Sequence, residues 1–91
     1  MQKIVVSKTY HGFSLTDEMI DYIGYKKKHK NDRGWEVSRT DPKLVEYLET
    51  TPEEKHGGLG VCYVPDGVKW DIEDYDSREW VAEVHRKWYA K

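Results

Sequence analysis

The sequence lacks several features that mark common classes of small protein. It holds a single cysteine, Cys62, so it can form neither an internal disulfide nor a thiolate-rich metal site, and this usage fits a reducing, intracellular setting. No apolar run approaches the ~20 residues that a membrane span needs. The start of the chain is too polar for a signal peptide. We therefore expect a soluble, cytoplasmic protein.

An excess of basic charge and metal-ligand spacing are also missing. The net charge is -2 and the pI is near 6.1, so no global basic field draws the chain to duplex nucleic acid or to a membrane. The histidines share no close spacing, whereas zinc sites show short-range ligand pairs. We expect no metal and no cofactor, and "HGGLG" (56–60) lacks the Lys-Ser/Thr that follows a phosphate-binding loop. The four histidines are His11, His29, His56 and His85.

Catalytic groups are hard to find as well. Cys62 lies inside the apolar stretch "GVCYV", where a small thiol that packs in a strand is the ordinary explanation. Carboxylates are plentiful in "DIEDYDSRE" (71–79), but an acidic stretch beside a turn is more typical of a solvated sheet edge than of an acid–base pair. We expect a protein that is not an enzyme.

What the chain does contain is a set of aromatic residues in a polar background. Its 91 residues predict a single domain over 1–91, with 37% hydrophobic and 35% charged residues. Four Trp, seven Tyr and one Phe can anchor a thin core, since each large ring buries about 150–250 Å². Such a chain cannot also enclose a deep cavity, so we expect some rings to form a surface recognition patch.

The first half of the chain predicts a strand followed by a helix. "KIVVSKTY" (3–10) is rich in β-branched residues, and its unbroken apolar run indicates a strand covered on both faces. "SLTDEMIDYIGYKKKHK" (14–30) predicts a helix with Thr16 as its N-cap and lysines in its last turn. The residues of "NDRGW" (31–35) are typical of a turn, and "WEVSR" (35–39) is a candidate short strand.

The second half predicts another helix and more strands. Asp41 and Pro42 are a typical start for a helix that Pro52 terminates, and "LGVCYVP" (59–65) predicts a strand. Residues 68–73 alternate in strand period. Residues 78–90 fit either a second hairpin strand after an Asp76-Ser77 turn, which we favour, or a helix capped by Ser77. The fold class is α+β, with two helices on one face of a small, mainly antiparallel sheet.

Two segments are candidates for binding an anion. "YKKKHKNDR" (25–33) concentrates five Lys or Arg residues and indicates a local phosphate site, unless these residues only complement a helix end. Residues 85–89 combine His, Arg, Trp and Tyr, a mixture that stacks on nucleobases and suits recognition of small ligands or proteins. The candidate ligand-binding residues are Tyr10, His11, Arg39, Tyr75, His85, Arg86 and Trp88.

Three blocks of the sequence carry a family resemblance. "KIVVSKTYHGFSLTDE", "RTDPKLVEYLE" and "PDGVKWDIEDYDSREWVAEVHRKW" resemble a family of small, largely uncharacterised phage and bacterial proteins. Members of that family carry Y-G-G-F-S-L-S, R-T-D-P-x-L and E-W-V-A-E-x-H-R-x-W in this order. The chain departs from the pattern at His11, where the family tends to have glycine, and in a short link at 31–38, where relatives often carry an insertion that could cover a site. The resemblance implies a viral or prophage context, hence the host cytoplasm, and no established activity.

That context leads to two hypotheses about function. The first is a non-enzymatic counter-defence protein that sequesters a small anionic, nucleotide-type immune signal. It would be a homo-oligomer, because a second copy would supply pocket walls that 91 residues cannot build alone. The alternative is an inhibitor that binds a host defence protein through its acidic and aromatic stretch 71–80.

Overall fold

The chain folds into two helices and two small antiparallel sheets. The computed structural model describes residues 1–83 and the backbone of residues 87–88. The first sheet pairs β1 with β2, and the second has the order β3-β4-β5. The elements are β1 (Gln2–Ser7), α1 (Asp17–Ile23), α2 (Pro42–Thr50), a 3-10 turn (Glu53–Lys55), β2 (Leu59–Val64), β3 (Asp71–Tyr75), β4 (Arg78–Ala82) and β5 (Lys87–Trp88). The predicted α+β class is confirmed, although the strands form two sheets instead of one.

The β1-β2 sheet lies at the centre and is covered on both faces, as its apolar run predicts. The two strands are antiparallel, with Ile4 opposite Cys62 and Val5 opposite Val61. Because side chains alternate along a strand, Val5 and Val61 face the helices, where they join one apolar cluster with α1, α2 and Phe13. Ile4 and Cys62 face the other way and pack with β4 and the residues that lead into β3.

Helix α1 is shorter than the sequence predicts. Thr16 caps it as expected, since its hydroxyl accepts a hydrogen bond from the Met19 N–H at 3.2 Å. The helix then ends at Ile23, because Gly24 adopts a left-handed conformation (φ 73°) and its N–H donates to carbonyls of the last turn. The predicted extension to residue 30 is wrong. The lysines that follow therefore belong to a loop and not to the last turn of the helix.

Helix α2 matches its prediction. The Asp41 carboxylate accepts hydrogen bonds from the N–H groups of Lys43 and Leu44 at 2.9 and 3.0 Å, and Pro42 occupies the first turn. The short strand predicted at 35–39 is wrong, since this segment forms turns. β1 also ends at Ser7, three residues before the predicted end of its strand.

The hairpin prediction at Asp76-Ser77 is confirmed. Both residues have positive φ (51° and 66°), the geometry of a two-residue type I′ turn, and Tyr75 pairs with Arg78 across it. Residues 78–82 form strand β4, so the alternative helix is wrong there. Strand β3 begins at Asp71, later than the alternating pattern over 68–73 predicts. No helix in the described part of the chain has the length and apolar character to cross a bilayer.

Candidate functional site

Two charged surfaces are candidates for function, and the first lies at the hairpin turn. We call it the hairpin end and define it by Tyr10, His11, Tyr75, Asp76 and Ser77. Tyr10, Asp76 and Ser77 line an open depression of about 370 Å³. Tyr10 is 70% exposed and Tyr75 is 74% exposed, so both rings are available to a partner. Of the seven predicted site residues, Tyr10 lines this depression, and His11 and Tyr75 are exposed residues next to its lining in the chain.

Arg39 is held by an ion pair close to that surface. Its guanidinium donates to both carboxylate oxygens of Glu79 at 2.7 and 2.9 Å and lies 3.8 Å from the centre of the Phe13 ring. Glu79 also accepts a hydrogen bond from the Ser7 N–H at 2.7 Å, and the Arg39 carbonyl accepts one from the Val5 N–H at 2.7 Å. The pair therefore occupies the outer edge of β1, and an anionic ligand at Arg39 would have to displace Glu79.

The stretch of residues 71–79, whose turn forms part of the hairpin end, is acidic. Residues 71–79 contain five carboxylates and one arginine, a net charge of -4. Four of these carboxylates are exposed, those of Asp71, Glu73, Asp74 and Asp76. This charge repels a phosphate and favours a basic partner. His85 and Arg86 lie outside the described residues, and of Trp88 the structure gives only the backbone, which pairs with Val81 in the second sheet.

The second surface is the loop of residues 24–36, which we call the basic loop. Its path is organised by Asp32, which is 3% exposed. The Asp32 carboxylate accepts hydrogen bonds from the Tyr25 hydroxyl at 2.7 Å and from the N–H groups of Lys28 and Gly34, both at 2.9 Å. These donors, the Lys28 N–H first, lower the pKa of Asp32 to about 2, and the carboxylate raises the pKa of Tyr25 to about 12.

The basic loop is joined to the segment before α1 by backbone contacts. The Leu15 N–H donates to the Arg33 carbonyl at 2.8 Å, and the Arg33 guanidinium donates to the Leu15 carbonyl at 2.8 Å. Gly34 has a positive φ of 76°, and a Cβ atom there would lie 2.6 Å from Cδ1 of Leu15. Glycine is required at this close approach, which ties the loop to the main apolar cluster.

Only part of the positive charge on the basic loop is neutralised. Lys27 and Arg33 pair with Asp17 at 3.5 and 3.0 Å, and Lys28 pairs with Glu36. The arginine is the main reason that the pKa of Asp17 is lowered. The other two lysines of the loop are exposed and have no ion-pair partner among residues 1–83; they are Lys26 and Lys30.

The basic loop also carries an exposed aromatic ring. Trp35 is 56% exposed, and its ring centre lies 6.3 Å from that of His29, which is also exposed. Sequence reasoning identified the basic run but missed Trp35, because it assigned the residue to a short strand. The signal that could have found it is its position directly after the turn "NDRG", with no apolar residue beside it on either side.

The remaining reactive and concave features favour structural roles. Burial raises the pKa of the Cys62 thiol to about 11, which makes it a poor nucleophile near neutral pH. In the described part of the chain no three His, Cys, Asp or Glu side chains converge as metal ligands. A groove of about 580 Å³ lies between the start of β1 and α2, and the charged groups of Lys3 and Glu49 on its wall pair with each other at 3.0 Å.

No known protein family, curated protein or solved structure matches this chain. The resemblance of its three sequence blocks to small phage and bacterial proteins therefore stays a prediction. Function has to be argued from the two surfaces themselves.

Proposed function

We propose that this protein is a non-enzymatic counter-defence protein of phage or prophage origin, and that its hairpin end docks on a basic surface of a host protein. The observation that carries the proposal is the pair of tyrosines, Tyr10 and Tyr75, which leave about three quarters of their surface in solvent. Tyrosine is enriched at protein interfaces, where its ring packs and its hydroxyl finds a polar partner. Residues 71–79, which include Tyr75, carry a net charge of -4, and this charge favours a partner of opposite sign.

The hairpin end is also held in one shape before any partner arrives. The turn is set by the register in which Tyr75 pairs with Arg78. Strand β4 is tied to β1 by the carboxylate of Glu79, which contacts both the Ser7 N–H and Arg39. A surface that is ordered in the free protein loses little conformational entropy on binding, so more of the free energy of its contacts contributes to affinity.

The test is capture of a host protein followed by titration of the purified pair. We expect a saturable complex of fixed stoichiometry that the double variant Tyr10→Ala/Tyr75→Ala weakens at least tenfold. The control is Trp35→Ala, which removes an exposed ring from the other surface and should leave the complex intact. A complex that tolerates the double variant, or a protein that captures no stoichiometric partner, would contradict the proposal.

A second candidate function is sequestration of a small anionic, nucleotide-type immune signal. The observation that favours it is that Lys26 and Lys30 are exposed and lack an ion-pair partner among residues 1–83. It is tested by calorimetry with a panel of linear and cyclic nucleotides. If a nucleotide that binds is recovered chemically changed, the protein is an enzyme. Light scattering measures whether the protein is the homo-oligomer that we expect of such a sponge. If no member of the panel gives a heat of binding at micromolar protein concentration, this function is excluded.

A further inference from the structure

The basic loop carries more positive charge than its structure requires. Five Lys or Arg residues against Asp32 and Glu36 leave residues 24–36 with a net charge of +3 in a chain whose total is -2. Asp32 takes its hydrogen bonds from a tyrosine hydroxyl and from backbone N–H groups, so no lysine ammonium is needed to stabilise it. Lys26 and Lys30 could therefore be replaced without loss of a described ion pair, and their charge is available to a ligand.

Trp35 adds a flat apolar surface to that charge. More than half of the side chain is in solvent, and its indole N–H has no acceptor among residues 1–83. The His29 ring lies beside it, inclined by 39°. An exposed tryptophan gains little in the free protein, but it gains much when a second ring stacks on it.

The two features lie on one rigid loop. Asp32 holds both Lys28 and Gly34 by their N–H groups, and Trp35 directly follows Gly34. Lys28 also forms an exposed ion pair with Glu36, the residue on the other side of Trp35. The exposed cations and the exposed ring therefore belong to the same loop.

We propose that the basic loop is the binding site for a phosphate-bearing nucleotide, with the Trp35 indole stacked on the base and Lys26 and Lys30 facing the phosphates. This inference rests on the second candidate function above and moves its site away from Tyr10, His11 and Arg39, where the acidic hairpin opposes an anion. The same chemistry occurs in a free nucleotide and in a single-stranded nucleic acid. An aromatic platform beside cations recognises either one.

The experiment compares four probes by calorimetry at low and high salt. They are ATP, inorganic triphosphate (the phosphates without the base), adenosine (the base without phosphates) and a short single-stranded oligoadenylate. We expect ATP to bind more tightly than triphosphate or adenosine, and its affinity to fall as salt rises. Tighter binding of the oligoadenylate identifies a nucleic acid as the source of the ligand, and tighter binding of ATP identifies a free nucleotide.

Variants locate the site. Because stacking of a base on an aromatic ring contributes substantially to binding, Trp35→Ala should weaken the affinity for ATP about tenfold or more. The double variant Lys26→Ala/Lys30→Ala should weaken the affinity for ATP and reduce the salt dependence of that affinity. The matched control is Lys43→Ala/Lys69→Ala, which removes two exposed lysines outside the loop and should have little effect. Thermal unfolding of each variant verifies that the fold is retained.

Two outcomes would overturn the inference in distinguishable ways. If triphosphate binds as tightly as ATP and Trp35→Ala changes neither, the loop is a simple anion site. The second candidate function then survives, but the stacking site does not. If none of the four probes binds, or if Tyr10→Ala/Tyr75→Ala abolishes nucleotide binding while Trp35→Ala does not, the assignment of the basic loop is wrong.

Discussion

The hairpin end and the basic loop are both exposed and strongly charged, but they obtain their shapes in different ways. The hairpin is set by a backbone ladder, in which Ile72 pairs with Val81 and Tyr75 pairs with Arg78. The loop has no ladder and is ordered around one buried carboxylate, that of Asp32. Regular backbone pairing tolerates changes at its exposed side chains, whereas a loop built on one side chain depends on that residue.

The ion pairs of the two regions differ in the same way. Arg39–Glu79 is largely shielded, with the side chains 24% and 9% exposed, and it joins residues 40 positions apart. Lys28–Glu36 lies in solvent, with both side chains 65% exposed. A shielded pair leaves an uncompensated charge when one partner is removed, while an exposed pair is screened by water.

The first prediction uses this difference and has the largest expected effect. Arg39→Ala leaves the Glu79 carboxylate shielded and unpaired, so the free energy of unfolding should fall by about 3 kcal/mol. Lys28→Ala is the matched control and should change it little. Urea denaturation followed by circular dichroism measures both variants. Equal losses in the two variants would mean that burial does not distinguish the pairs.

The second prediction concerns how the basic loop is attached. A side chain at Gly34 meets Leu15 and requires a left-handed backbone, so Gly34→Ala should cost about 2 kcal/mol. Gly24 has nearly the same φ (73°) but no atom within 4 Å of an added Cβ. Gly24→Ala therefore isolates the backbone cost and should be the milder variant, by urea denaturation. If the two changes are equivalent, the contact with Leu15 is unimportant.

The third prediction is a pH dependence that belongs to the basic loop. The folded pKa of Asp32 is lowered to about 2 from the ordinary 3.8. Its contribution to stability is therefore complete above pH 3.8 and is lost as the pH falls through about 2. Tyr25, with its pKa raised from 10.0 to about 12, stabilises fully below pH 10 and loses its contribution as the pH rises through 12.

Asp32→Asn should remove the acid part of this dependence. We expect the variant to be less stable than the parent at pH 6, and the difference to shrink between pH 4 and 2. Asp21→Asn, at an exposed carboxylate of α1, is the control and should leave the pH profile unchanged. Unfolding free energies from urea titrations at each pH provide the measurement. A constant difference between parent and Asp32→Asn across this range would refute the assignment.

The fourth prediction, the smallest, concerns the hairpin turn. Ser77 adopts φ 66°, a conformation that glycine reaches without strain and that type I′ turns favour for it. Ser77→Gly should therefore stabilise the protein by about 0.5 kcal/mol. Ser14→Gly, at a residue outside the turn, is the control and should not stabilise it. Loss of stability in Ser77→Gly would indicate that the serine side chain contributes more than its backbone costs.

Local sequence signals predicted the elements whose ends are set by neighbouring residues. Asp41 and Pro42 define the start of α2, and the alternation around Asp76-Ser77 defines the hairpin. The prediction that α1 continues past Gly24 was wrong for a local reason as well. The lysine-rich residues favour a helix, but Gly24 is left-handed and ends the helix before them. Of the candidate ligand-binding residues, Tyr10 and Tyr75 are exposed, whereas Arg39 is paired with Glu79, a partner that the sequence did not indicate.

The amino-acid order alone was thus sufficient for the α+β class, both helix starts and the hairpin turn, since these depend on hydrogen bonds between residues close in the chain. Folding determined the role of Arg39, whose partner lies 40 residues away. It also determined the burial of the Asp32 carboxylate, whose hydrogen-bond donors are local but whose loop is attached to Leu15, 18 residues from Arg33. Both depend on burial, which lowers the local dielectric and makes a paired charge stabilising, and burial arises only when distant segments pack together.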